Sequence, residues 1–118
     1  MTRFPTMTSA EYRLWSCNQW SEAQLQDKIL QLADELGWLS YHTHDSRRSR
    51  KGWPDLFMIH VRQKRFLVWE LKSEKGRTTI EQRAWIAAFA AIGIEVEVLK
   101  PADWASGHIE RQLRGQAA

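Results

Sequence analysis

The chain has 118 residues, of which 43% are hydrophobic and 26% charged, an ordinary globular composition long enough for one domain with its own core. Seventeen Lys and Arg against fourteen Asp and Glu leave a net charge of +3, so where the cations fall matters more than their excess. The single cysteine, Cys17, excludes an internal disulfide and a cysteine-based zinc site; no apolar run reaches membrane length and the start lacks a signal-peptide core, so a reducing cytoplasm is the expected location.

Residues 1–20 read as an amino-terminal arm. Glu11 to Trp20 suits a short helix with Leu14, Trp15 and Cys17 on one side, which either packs its tryptophans onto the domain or forms a subunit contact. Ser21 with Gln24 three residues on is a capping box, and Leu25, Ile29, Leu32 and Leu36 follow at helical spacing until Gly37. Glu22 lies in the first turn of that helix, where the dipole favours an acid. The domain proper is expected over 21–114.

Leu39 to His42 reads as a short strand leading into the most basic loop of the chain, which carries Arg47, Arg48, Arg50 and Lys51. A charge run is commonly no more than a solvated face. Beside a site that handles phosphodiesters it would contact backbone phosphates, which gives affinity without sequence reading. His42 and His44 sit near the strand end, where a histidine is more often a hydrogen-bonded structural group.

Gly52 to Lys72 reads as a hairpin: Leu56 to Val61, a basic turn, then Phe66 to Lys72. With Gln63 and Lys64 as a two-residue loop, Val61 faces Phe66, Phe57 faces Glu70 and Asp55 faces Lys72. Opposed side chains share a face, so Asp55, Glu70 and Lys72 project from one side, the two acids lying on a diagonal of about 7 Å. Two carboxylates with room for water suit Mg²⁺. A Glu-x-Lys at a strand end is also an ordinary solvated face or salt bridge. Here Phe66 and Val68 alternate with Leu67, Trp69 and Leu71, the pattern of a central strand covered on both sides, and an acid on a covered face needs a partner.

Beyond a polar loop with Lys75, Gly76 and Arg77, Thr78 and Glu81 fit a second capping box. The helix over 79–92 would present Gln82, Trp85, Phe89 and Ile92 inward, with alanines letting it lie close against the sheet. Glu95 to Leu99 is the last strand, parallel to 66–72 because a helix crosses between them, and residues 101–114 are weakly helical.

Gly52-Trp53-Pro54-Asp55, then Glu70-Leu71-Lys72, then Glu81-Gln82-Arg83-Ala84-Trp85 resemble the PD-(D/E)xK nuclease superfamily and, more narrowly, the VRR-NUC domain family, found as stand-alone phage and bacterial proteins and as the nuclease domain of the Fanconi-associated nuclease. The resemblance spans about Ser21 to Leu113. It implies a restriction-endonuclease-like α/β sandwich of three layers, a small mixed sheet flanked by helices in the order α-β-β-β-α-β-α. It implies a DNA endonuclease in which Asp55, Glu70 and the Leu71 carbonyl hold Mg²⁺ or Mn²⁺ and Lys72 assists the attack. Glu22 would join the metal site directly or through water, and Gln82 would help hold it; both also have plain roles as polar residues in a first helical turn. Arg47, Arg48, Arg50, Lys51, Lys75, Arg77 and His42 would contact DNA. Stand-alone relatives are similar to dimeric Holliday junction resolvases, so branched DNA and a homodimer in a phage or bacterial cell are expected. The alternatives are a flap or nicking nuclease of phage replication or packaging, and a non-catalytic nucleic-acid-binding module on the same fold.

Overall fold

The computed structural model describes residues 6–43 and 50–116. In chain order it holds α1 (Ser9–Cys17), α2 (Glu22–Glu35), β1 (Leu39–His42), β2 (Leu56–His60), β3 (Arg65–Leu71), α3 (Ile80–Ala91), β4 (Val96–Leu99), α4 (Pro101–Ala105) and α5 (His108–Arg114). The four strands form one sheet in the order β1-β2-β3-β4. β1 and β3 flank β2 antiparallel, and β4 runs parallel to β3, as the helical crossover requires. The result is a small mixed α/β sheet with helices on both faces, compatible with a restriction-endonuclease-like fold. No helix among the described residues is long and apolar enough to cross a membrane.

One face of the sheet carries the core. Leu25, Ile29 and Ala33 on α2 and Ile109 and Leu113 on α5 bury against Leu56 and Met58 of β2, Trp69 and Leu71 of β3, and Leu99 of β4. Each such aliphatic side chain contributes roughly 1.5–3 kcal/mol relative to exposure. The Trp38 indole N–H donates to the Leu113 carbonyl at 2.9 Å, tying the end of α2 to α5. α2 starts where its capping box predicts: the Gln24 N–H donates to Ser21 Oγ and the Ser21 N–H to Gln24 Oε1. α1 is capped by Thr8 rather than beginning at Glu11, and it packs against α4 with Cys17 buried.

The hairpin differs from the expected register. Ile59 faces Phe66, Phe57 faces Val68 and Leu56 faces Trp69. The connection is a wider turn: the Lys64 N–H donates to the Val61 carbonyl at 3.1 Å, and Lys64 takes the left-handed conformation at φ 56°. Val61 therefore leaves the ladder, and the pairing slides by two residues. A slide of two preserves which face each side chain occupies, whereas a slide of one would have inverted them all.

The second face is covered unevenly. Val68, Glu70 and the following Lys72 are buried, but Phe66 on the same face is exposed, as are Leu39, Tyr41 and Ile59 on β1 and β2. α3 lies on the β4 side of this face, with Gln82 at Glu70, and the β1–β2 side stays open. Contrary to the expected close seat, none of its residues is buried; Ile80 and Ile92 are 74% and 73% exposed, and the alanines face solvent. Rings, not small residues, hold it: Trp85 and Phe89 meet Trp53 with centroids 5.0 and 5.5 Å apart.

Candidate active site

Asp55 immediately precedes β2, and continuing the observed register places it directly across from Glu70, closer than the diagonal expected from the shorter turn. Its Oδ2 accepts a hydrogen bond of 2.8 Å from the Leu71 N–H, so the carboxylate is fixed to the neighbouring strand. Glu70 is 1% exposed, and its carboxyl lies within hydrogen-bonding reach of Asp55. Burial pushes the Glu70 carboxyl up to about 9, and the hydrogen bond and negative charge of Asp55 push the same way. Lys72 opposes the rise and Glu22 adds to it. At neutral pH Glu70 therefore keeps its proton, its burial and the facing Asp55 outweighing the Lys72 ammonium.

Lys72, 7% exposed, ends in the same place: its Nζ is 3.8 Å from Glu70 Oε1 and 3.9 Å from Glu22 Oε1. Glu22 reaches it from the first turn of α2 and keeps half of its side chain in solvent. Glu22 thus meets the Lys72 amine, and its charge also reaches Glu70. Among the described residues no group of three or more His, Cys, Asp or Glu is gathered closely enough to hold an ion.

Gln82 is tied to the acid pair by its own helix start. Thr79, one residue after the expected Thr78, is the N-cap of α3: the Gln82 N–H donates to Thr79 Oγ1 and the Thr79 N–H to Gln82 Oε1. That leaves the amide nitrogen of Gln82 to donate to Glu70 Oε1 at 3.0 Å. One side chain both caps α3 and orients the buried acid. The spacing Thr79-x-x-Gln82 is legible in the sequence but competes with Thr78-x-x-Glu81, and only the strand–helix distance selects between them.

Arg50, Lys51, Lys75 and Arg77 are exposed, with Lys51 Nζ 3.4 Å from Glu81 Oε1. His42 is half-buried, with its Nδ1 3.5 Å from the Gln26 amide nitrogen. Arg47, Arg48 and His44 lie outside the described residues. Sequence reasoning missed the contact of Gly52 with α3 and the Trp53–Trp85–Phe89 cluster, because nothing in residue spacing announces that a loop and a helix thirty residues apart will touch.

The arrangement is an all-oxygen donor pair beside a buried amine. That donor set fits a hard divalent cation, which would take the place of the Glu70 proton; Asp55, Glu70 and the Leu71 carbonyl would hold it, with water completing its shell.

A family model for the VRR-NUC domain matches residues 4–103 of the chain. Over 52 residues the chain is 44% identical to the Fanconi-associated nuclease 1 homolog of Caenorhabditis elegans, a match covering 44% of this chain and 6% of that protein. The protein of the same name from Caenorhabditis briggsae is 40% identical over 52 residues, again 44% of this chain and 6% of the relative. The chain thus corresponds to a small part of these much longer relatives. No solved structure matches it.

Proposed function

The chain belongs to the VRR-NUC domain family, and from that premise we propose that it is a divalent-metal-dependent nuclease that hydrolyses phosphodiester bonds in DNA. The observation that carries the reading is the Asp55–Glu70 pair with the Lys72 ammonium 3.8 Å from Glu70. Mg²⁺ or Mn²⁺, when bound, supplies polarisation of the scissile phosphate and a more acidic bound water. The chain's own groups do the rest. The Leu71 N–H holds Asp55, Gln82 holds Glu70, and Lys72 places a buried positive charge where negative charge builds on the phosphorus oxygens. Arg50, Lys51, Lys75 and Arg77, with Arg47 and Arg48, hold the flanking phosphates.

Branched DNA is the proposed substrate and a homodimer the proposed working state, because cutting two opposed strands takes two acid pairs. The uncovered sheet face supports the second copy. Leu39, Tyr41, Ile59 and Phe66 are 65%, 60%, 41% and 49% exposed on one sheet face, an apolar surface suited to the same face of another chain. The tryptophan-bearing arm, with Tyr12, Leu14 and Trp15 exposed on α1, is the other place for that contact.

The test is a panel of labelled duplex, flap, fork and four-way junction DNA with Mg²⁺, Mn²⁺ or EDTA. Metal-dependent cleavage with preference for the junction is expected, lost in Asp55→Ala. Cleavage retained in Asp55→Ala and Lys72→Ala would overturn the site, and binding without cleavage by the wild type under every condition would favour the binding module. Sedimentation of Ile59→Lys and Trp15→Glu separates the two dimer surfaces.

A further inference from the structure

The segment leading into Asp55 is pressed backbone to backbone against the start of α3. Gly52 has φ +91°, and a Cβ there would lie 2.5 Å from the Glu81 carbonyl carbon, 2.6 Å from its oxygen and 2.8 Å from the Gln82 nitrogen. None of these atoms can swing aside, since all belong to the first turn of a helix. The residues on either side reinforce the contact. The Lys51 carbonyl accepts from the Trp85 indole N–H at 3.0 Å, the Lys51 ammonium meets Glu81 at 3.4 Å, and the Trp53 ring packs on Trp85 and Phe89. α3 buries no residue fully, and its half-buried Trp85 and Phe89 both pack on Trp53 of this strap. The turn that Gly52 touches is the turn whose Gln82 side chain donates to Glu70.

We propose that Lys51-Gly52-Trp53 is a positioning strap: by seating the first turn of α3 it aims the Gln82 amide at Glu70, and Gly52 is the positioning residue that makes the close seat possible. The side chain of Gly52 is absent so that two backbones can meet, and the consequence is felt one hydrogen bond further on, at the acid. For its functional meaning the inference rests on the metal-dependent nuclease reading; its geometry does not.

The experiment uses the full chain with Gly52→Ala, Gly52→Asn, Trp85→Phe and Gln82→Ala, read by three measurements: NMR of the Gln82 side-chain amide, hydrogen exchange across α3, and Mn²⁺ affinity by calorimetry. Asn tolerates positive φ but still carries a Cβ, so it separates the close approach from the backbone angle. Both Gly52 variants should move the Gln82 amide signals to solvent-exposed positions and speed exchange at Gln82 and Arg83, with β2 and β3 still protected. Mn²⁺ binding should weaken about 10-fold or more, the usual cost of losing a group that orients a metal ligand. Trp85→Phe keeps the ring and the fold but drops the bond to Lys51, and should show the same changes at roughly fivefold. Wild-type Gln82 signals in Gly52→Asn would overturn the proposal, as would unchanged Mn²⁺ affinity in Gln82→Ala. The amide and exchange measurements decide the geometry even if the wild type binds no Mn²⁺ and cuts nothing, an outcome that would sink the nuclease reading instead.

Discussion

The Asp55 carboxylate accepts the Leu71 backbone N–H at 2.8 Å, so the acid at the head of β2 is bonded to the residue that follows the acid on β3. Main chain thus fixes Asp55 opposite Glu70, and the pair stands without mutual repulsion only while Glu70 keeps its proton. Two acids fixed in this way are preorganised for a cation that replaces the proton, and the consequences can be measured.

Replacing Asp55 separates the two roles of its side chain. Asp55→Asn keeps an oxygen for the Leu71 N–H and should unfold near the wild-type temperature, while Asp55→Ala leaves that N–H unsatisfied at a cost of about 1–3 kcal/mol. Both should lose cleavage by about 10²-fold or more. Thermal melts beside a cleavage assay check this; an Asn variant as unstable as the Ala variant would show that the bond to Leu71 contributes little.

The Glu70 proton makes stability depend on pH in a defined direction. Folded Glu70 holds its proton up to about 9 against an ordinary 4.5, so the folded chain keeps a proton that the unfolded chain releases. The stability from this group is full below the ordinary value, falls as pH rises between the two, and levels off above the folded value. Metal-free Glu70→Gln, which has no proton to lose, should therefore gain on the wild type steadily from about pH 5 to about pH 9. Parallel melting curves for the two proteins across that window would show that Glu70 titrates normally.

A cation entering the pair must displace that proton. Titration of Mn²⁺ near neutral pH, run in two buffers of different ionisation enthalpy, should report release of about one proton per ion, and none in Glu70→Gln. Binding should also raise the melting temperature, by an amount equivalent to about 2.7 kcal/mol at one hundred times the dissociation constant. Heat independent of buffer would mean that Glu70 is already ionised.

Lys72 tests the amine apart from the metal. Lys72→Met preserves length and apolar stem in a position 7% exposed, so the fold should persist. Cleavage should fall by about 10²–10³-fold with the number of bound ions unchanged, because the charge acts on the transition state and is not a ligand. Loss of metal binding in step with activity would instead make Lys72 part of the cation site.

Much of this was legible in residue order. The caps at Ser21, the alternation of Phe66 to Lys72 and the helical crossover to Val96 determined the elements and the parallel pairing, because helix starts and strand faces follow from local spacing. Strand parity also placed Asp55, Glu70 and Lys72 on one side, and that conclusion survived a misjudged turn because a two-residue slide leaves parity intact. What remained depended on distances between segments far apart in the chain. Lys64 in a left-handed conformation set the register and brought Asp55 opposite Glu70. The reach from α3 to the sheet chose Thr79 over Thr78 as its cap and so gave Gln82 its bond to Glu70. The seat of Gly52 on Gln82, and the apolar sheet face left open beside it, exist only once the layers have packed. Periodicity decides which way a side chain points; only the folded chain decides what it meets.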